Sequence, residues 1–161
     1  MLTKFGVAPE GTHADLLAST YMTSILTGGL LGTLMWANVW FVIWPAQQVV
    51  IANATKVAAG GAADPSAAAR GARAGIASRT NTLFSIPMLF FMGSASHFTS
   101  LGNGTAVGVY WLLALVVLLA VEFNMFSGPA ATQKPLSTVG GTIHMGLGLT
   151  LVLYLLMSAV L

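Results

Sequence analysis

From Ala106 to Phe126 the chain runs through 21 residues with a single formal charge, at Glu122. About 20 such residues, wound as a helix, cover the roughly 30 Å of hydrocarbon in a bilayer. Three more stretches have the same character, at about 21–44, 80–98 and 141–161. Barrel strands that cross membranes are short and alternate apolar with polar residues, whereas LLALVVLLAV (112–121) does not alternate. The expected fold is an all-α integral membrane protein, a single domain over 1–161 with four transmembrane helices.

Composition agrees. Only 6% of the residues are charged and 56% are hydrophobic, against about a quarter charged in a soluble domain, so water could not wet the surface. There is no cysteine, which removes disulfides, iron–sulfur ligation, cysteine–zinc sites and the C-x-x-C-H attachment of c-type haem. A net charge of +2, scattered along the chain, gives no footprint for nucleic acid. The apolar run that starts near Tyr21 is too long for a signal-peptide core, and no small-residue cleavage site follows it. It is expected to be a retained span.

Five of the six basic residues fall on one side of these spans. Lys56, Arg70, Arg73 and Arg79 lie in or at the end of the 45–79 loop, and Lys134 lies between spans three and four. The link SLGNGT (100–105) is uncharged and the N-terminal arm holds only Lys4. The positive-inside rule then puts 45–79 in the cytoplasm and both termini on the periplasmic side of a bacterial inner membrane. Within the loop, a glycine hinge at Gly60-Gly61 precedes Asp64-Pro65, which reads as an N-cap with proline at the first helical position. SAAARGARAGIASR (66–79) then forms a cytoplasmic surface helix leading into span two. In the N-terminal arm, Thr12 with Asp15 three residues on resembles a capping box, so span one is expected to begin above the bilayer and carry His13 there.

Polar groups within hydrocarbon need a partner or a purpose. The orientation places Asn38, Arg79, Asn81, Glu122, Asn124 and His144 together in the cytoplasmic third, and His97 near the outer surface. Glu122 and His144 are the pair expected in contact. One reading makes this cluster structural, inter-helix hydrogen bonds worth roughly 1 kcal/mol or less each. The other makes Glu122 and His144 a proton relay or a contact to a quinone head, since both groups titrate near neutrality when buried. His97 and His144 differ in depth by about 20 Å at 1.5 Å per residue, so they cannot clamp one haem iron. No cofactor is expected on this chain alone; a haem shared with a partner subunit stays open, with His97 as an outer-side ligand or partner contact.

Pro87 removes one backbone hydrogen bond and should kink span two, with Ser85 placed to serve a freed carbonyl. Trp36, Trp40 and Trp44 share one helix face, suited to interfacial anchoring and subunit contact or, alternatively, to stacking an aromatic ligand. Gly28-x-x-x-Gly32 and the glycines Gly141, Gly146 and Gly148 allow close helix approach. No Ser–His–Asp set, phosphate loop or pair of intramembrane carboxylates is recognisable.

Two stretches carry a resemblance. NVWFVIWPAQQVVI (38–51) and ASRTNTLFSIPMLFFM (77–92), with ADP (63–65) upstream, resemble the membrane domain of the bacterial membrane-bound urate hydroxylase (urate oxidase) family. The resemblance implies a multi-span membrane domain followed by a cytochrome c domain, oxidation of urate, and delivery of electrons to the respiratory chain. Against that pattern this chain has about half the expected spans and no C-x-x-C-H motif, and no catalytic residues are carried over. Two functions follow as expectations. The first is a small, non-catalytic subunit of an inner-membrane redox complex, packed against cofactor-bearing membrane subunits such as a cytochrome. The second is a urate hydroxylase-like module that passes electrons to a separate cytochrome c, with a homodimer as one way to rebuild the larger domain. A small transporter or channel is a weaker third, for want of a charged pathway through the outer half.

Overall fold

The computed structural model describes residues 19–97 and 106–161. These residues form helices and turns and contain no strand. In chain order the elements are α1 (Thr20–Asn38), a π-helical segment (Val39–Ile43), α2 (Trp44–Ala58), α3 (Ala67–Ser94), α4 (Val107–Ser127), the short α5 (Ala130–Gln133), a 3-10 turn (Lys134–Ser137) and α6 (Val139–Val160). The Thr12 cap, His13 and Phe98 of the sequence reading lie outside the described residues.

Among the described residues three helices are long and apolar enough to cross a membrane: the continuous Thr20–Ala58, Val107–Ser127 and Val139–Val160. Their outward faces carry exposed leucine, valine and phenylalanine, such as Leu112, Leu119, Phe123, Leu147 and Leu151. An apolar exterior of this extent fits lipid and not water. Helix α3 is different. Its first half carries Arg70, Arg73 and Arg79, and its apolar second half packs between α1 and α6, with α2 along its basic end. A helix covered by protein on several sides does not need the hydropathy of a lipid-facing one.

Each core seam follows the helical repeat. On α1 the buried residues are Thr20, Thr23, Ser24, Thr27, Gly28, Leu31 and Asn38; on α4 they are Tyr110, Ala114, Leu118, Glu122 and Met125. Spacings of three and four put each set on one face. Ser19 starts α1 as its N-cap, its hydroxyl accepting from the Met22 N–H at 3.2 Å. Close approach depends on two glycines. Gly28 lies against Met92 and the Met88 carbonyl, and Gly146 of α6 faces Ile86 and the Leu83 carbonyl oxygen. That carbonyl is the one Pro87 leaves without its usual i+4 donor. Ser85, expected to help there, instead donates to the Thr82 carbonyl at 2.7 Å.

The segment 45–79 is helical over most of its length. Helix continues from span one through the π segment and Pro45 to Ala58, because a turn widened to five residues absorbs the proline. The Trp44 N–H reaches back to the Val39 carbonyl in the i→i−5 pattern. Gly60 and Gly61 are likewise not a loose hinge but a helix stop. Gly60 has φ +81°, and the Gly60 and Gly61 N–H groups bond the Val57 and Lys56 carbonyls, as in a Schellman cap. The helix expected at 66–79 is the first half of α3 itself, continuous with the apolar stretch expected as span two.

Asp64 sits two residues before the N-cap of α3, which is Ser66. Its Oδ1 accepts from the Ser66 N–H at 2.8 Å, and Asn53 Oδ1 accepts from the Asp64 N–H at 2.6 Å. The Ser66 N–H, with help from its hydroxyl and from the charges of Lys56 and Arg70, holds the Asp64 carboxyl below the usual carboxylate range. A depressed pKa means that ionised Asp64 favours the folded turn above its unfolded value and that this contribution fades as pH falls through the folded one. The Ser66 amide-proton shift should therefore titrate with a midpoint below that of a free aspartate, and the titration should vanish in Asp64→Asn. A midpoint at or above the free value would refute the turn as described.

A buried carboxylate as the candidate functional site

At the end of the bundle where α1 passes into the π segment, three polar side chains from three helices meet. The Asn38 amide nitrogen donates to Glu122 Oε1 at 2.9 Å and to Asn81 Oδ1 at 3.0 Å. Asn81 in turn donates from Nδ2 to the Met35 carbonyl at 3.0 Å. An asparagine amide has two N–H groups, and both of Asn38's are used. Asn81 thus enters the backbone ladder of α1 one turn before the π segment, a known way to loosen a helix locally. Glu122 is 9% exposed and Asn38 4%. The second carboxylate oxygen, Oε2, is buried and has no hydrogen-bond partner among the described residues. One oxygen of Glu122 is held and the other is unpartnered.

The other members of the expected cluster go elsewhere, and helix phase is the reason. Residues two apart on a helix point about 200° apart. Asn124, two beyond Glu122, therefore faces away; its Oδ1 accepts from the Thr132 hydroxyl, and its carbonyl takes the Gln133 amide at 2.7 Å. Arg79, two before Asn81, is half-buried, and its guanidinium makes no hydrogen bond or ion pair among the described residues. His144 lies two residues from buried Thr142 and two from buried Gly146. It is exposed, with Nδ1 2.7 Å from the Gly140 carbonyl. The Glu122–His144 contact expected from depth does not form.

His97 and His144 are also far apart. Gly146 meets Leu83, so His144 lies near the level of Leu83, and His97 is 14 residues further along the chain, in the turn that follows α3. That is about 20 Å. His97 is exposed and only its backbone is engaged, through N–H to the Ser94 carbonyl at 2.8 Å. Among the described residues no three His, Asp or Glu side chains gather as a metal site would require.

A second polar layer was not anticipated. Thr27 Oγ1 is 2.8 Å from both the Thr23 carbonyl and the Tyr110 hydroxyl. Its one O–H goes to the carbonyl, so Tyr110 donates to it. Ser24 bonds the Thr20 carbonyl at 2.8 Å and meets Met157 Sδ at 3.6 Å, while Thr23 Oγ1 is buried without a partner. The signal was the 20, 23, 24, 27 spacing of hydroxyl residues. Between this layer and Asn38 lie about 16 Å of α1 and a dry stratum of Leu31, Leu83, Phe84 and Leu118, none more than 1% exposed. Trp36, Trp40 and Trp44 stand outside both layers, each more than half exposed.

Residues 12–155 match the family model described as "Urate oxidase N-terminal". The chain belongs to that family. Among curated proteins and among solved structures no match was found. The two stretches that resemble the family's membrane domain now have a structural meaning within this urate oxidase N-terminal chain. NVWFVIWPAQQVVI begins at Asn38 and contains the whole π segment, and ASRTNTLFSIPMLFFM contains Asn81, the Leu83 carbonyl and Pro87. Together they supply Asn38 and Asn81, two of the three side chains of the Glu122 cluster, and the helix distortion beside it.

Proposed function

We propose that this chain is a membrane-embedded module of urate oxidase type, working in a bacterial inner membrane as a four-span bundle with both termini on the periplasmic side. In this reading it oxidises urate or a similar heterocycle and a separate cytochrome c takes the electrons. The observation that carries the proposal is the Glu122 carboxylate, buried and fixed through Oε1, with Oε2 buried and left without a hydrogen-bond partner, an acceptor for a proton. Family membership supports it, and the placement of Arg70, Arg73, Arg79 and Lys134 in the segments between the first and second and the third and fourth apolar runs supports the orientation. Asn38 and Asn81 are positioning residues: they set the carboxylate and do not react.

Urate-dependent reduction of added cytochrome c by membranes bearing the chain is the test. Glu122→Gln keeps the shape and the bond from Asn38 but cannot exchange a proton. It should lower the rate by about a hundredfold or more. Asn81→Ala and Arg79→Ala should also reduce it. An unchanged rate in Glu122→Gln sinks the reading.

A second reading rests on the aromatic ridge of Trp36, Trp40, Phe41 and Trp44, exposed on the outside of the bundle. It makes the chain a non-catalytic subunit that presents this ridge to a cofactor-bearing partner in the membrane. Co-migration with a cytochrome in mild detergent, lost when Trp40 is replaced by leucine, would favour it. A stable isolated monomer or homodimer would exclude it.

A further inference from the structure

One turn past Asn38 and one turn past Glu122 the helices part to leave a cleft of about 530 Å³. Arg70, Arg73 and Ser66 line one side, at the start of α3; Phe41 in the π segment, Pro45 at the start of α2 and Phe126 at the end of α4 line the other. Arginines three apart share a helix face. Both are exposed, and among the described residues neither guanidinium makes a hydrogen bond or an ion pair. Asp64 is the acid whose charge is felt by Arg70, and its Oδ1 is already engaged by the Ser66 N–H.

From the juxtaposition of two unengaged guanidiniums with an apolar, aromatic wall at the boundary between the apolar helices and the basic end of the bundle, we infer that this cleft holds the headgroup of an anionic glycerophospholipid. The chemistry is divided in the way the occupant must be. A phosphate diester accepts paired N–H bonds from a guanidinium fork. The glycerol and first methylenes of the same molecule need an apolar surface in continuity with the bilayer, which Phe41 and Phe126 provide. A free anion would use the first half of the site and leave the second bare. Basic clefts between membrane helices are a recognised mode of lipid capture. The inference is independent of what happens at Glu122.

The test is native mass spectrometry of the full chain, released from nanodiscs containing equal amounts of phosphatidylglycerol and phosphatidylcholine. One phosphatidylglycerol should be retained in preference to phosphatidylcholine. Arg70→Gln with Arg73→Gln should abolish the preference, with affinity falling about tenfold or more for each guanidinium removed. Lys56→Gln with Lys134→Gln removes the same charge outside the cleft and should leave the preference intact. Equal retention of the two lipids overturns the proposal, as does an equal loss in both double variants. Displacement of the retained lipid by millimolar inorganic phosphate, or by urate, would also overturn it by assigning the cleft to a free anion.

Discussion

Gly146→Leu should yield a protein that unfolds at much lower temperature in detergent than the parent, while Gly148→Leu, two residues on, should behave like the parent. A Cβ at 146 would stand 2.9 Å from the Leu83 carbonyl oxygen and 3.2 Å from Ile86 Cβ, and would collide with Ile86 Cδ1. The isoleucine can rotate; the carbonyl cannot, because it belongs to the backbone of the central helix. Pro87 has already left that oxygen without its helical donor, and the close pass of Gly146 brings Cα hydrogens towards it, a weak but favourable contact. Forcing a side chain into so tight a contact costs about 1–3 kcal/mol even when the neighbours can adjust. Here about 3 kcal/mol is expected. At Gly148 a Cβ meets nothing within 4 Å and the position is exposed, so the change should lie within about 0.5 kcal/mol. Equal midpoints for the two variants would mean that α3 and α6 do not pack as described.

Asn38→Leu should be the second severe change. It strips Glu122 Oε1 of its donor while Oε2 already lacks one, and it frees the Asn81 carbonyl oxygen as well. Leaving a carboxylate buried without partners costs about 3 kcal/mol or more. Glu122→Leu alone leaves one Asn38 N–H unmade and should cost less. The double variant Asn38→Leu/Glu122→Leu should be more stable than Asn38→Leu, because removing both partners removes the orphaned charge with them. A denaturation cycle over the four proteins should give a coupling of about 1–3 kcal/mol. Additive costs would show that the two side chains do not communicate.

Depth was legible in the sequence and phase was not used. Counting residues from the ends of each apolar run placed Asn38, Arg79, Asn81, Glu122, Asn124 and His144 at one level, and three of the six do meet there. The intervals of two between Arg79 and Asn81, and between Glu122 and Asn124, already separated them by face. Likewise Tyr110, Ala114, Leu118 and Glu122, four apart, marked the seam on which the carboxylate is buried. The hydroxyl stripe of α1 has the same kind of signature, residues three and four apart, inside a run that is otherwise apolar. Other features left no trace that residue type alone could supply. VWFVI (39–43) is as apolar as any helical turn, and only Pro45 hinted that the ladder changes there, so span one was ended at Trp44 when helix runs on to Ala58.

The π segment can also be seen as a phase shifter between two helices that answer to different neighbours. α1 must turn its hydroxyls and Asn38 towards α3 and α4, while α2 must turn Ala46 and Asn53 towards the basic start of α3 and the Asp64 turn. One surplus residue rotates everything downstream by about 100° relative to an unbroken α-helix. Length between Val39 and Ile43 is therefore a setting of orientation, not of reach. Losing one residue there would leave the helix just as long and the bilayer just as well spanned. It would also swing α2 off the helix whose arginines it flanks.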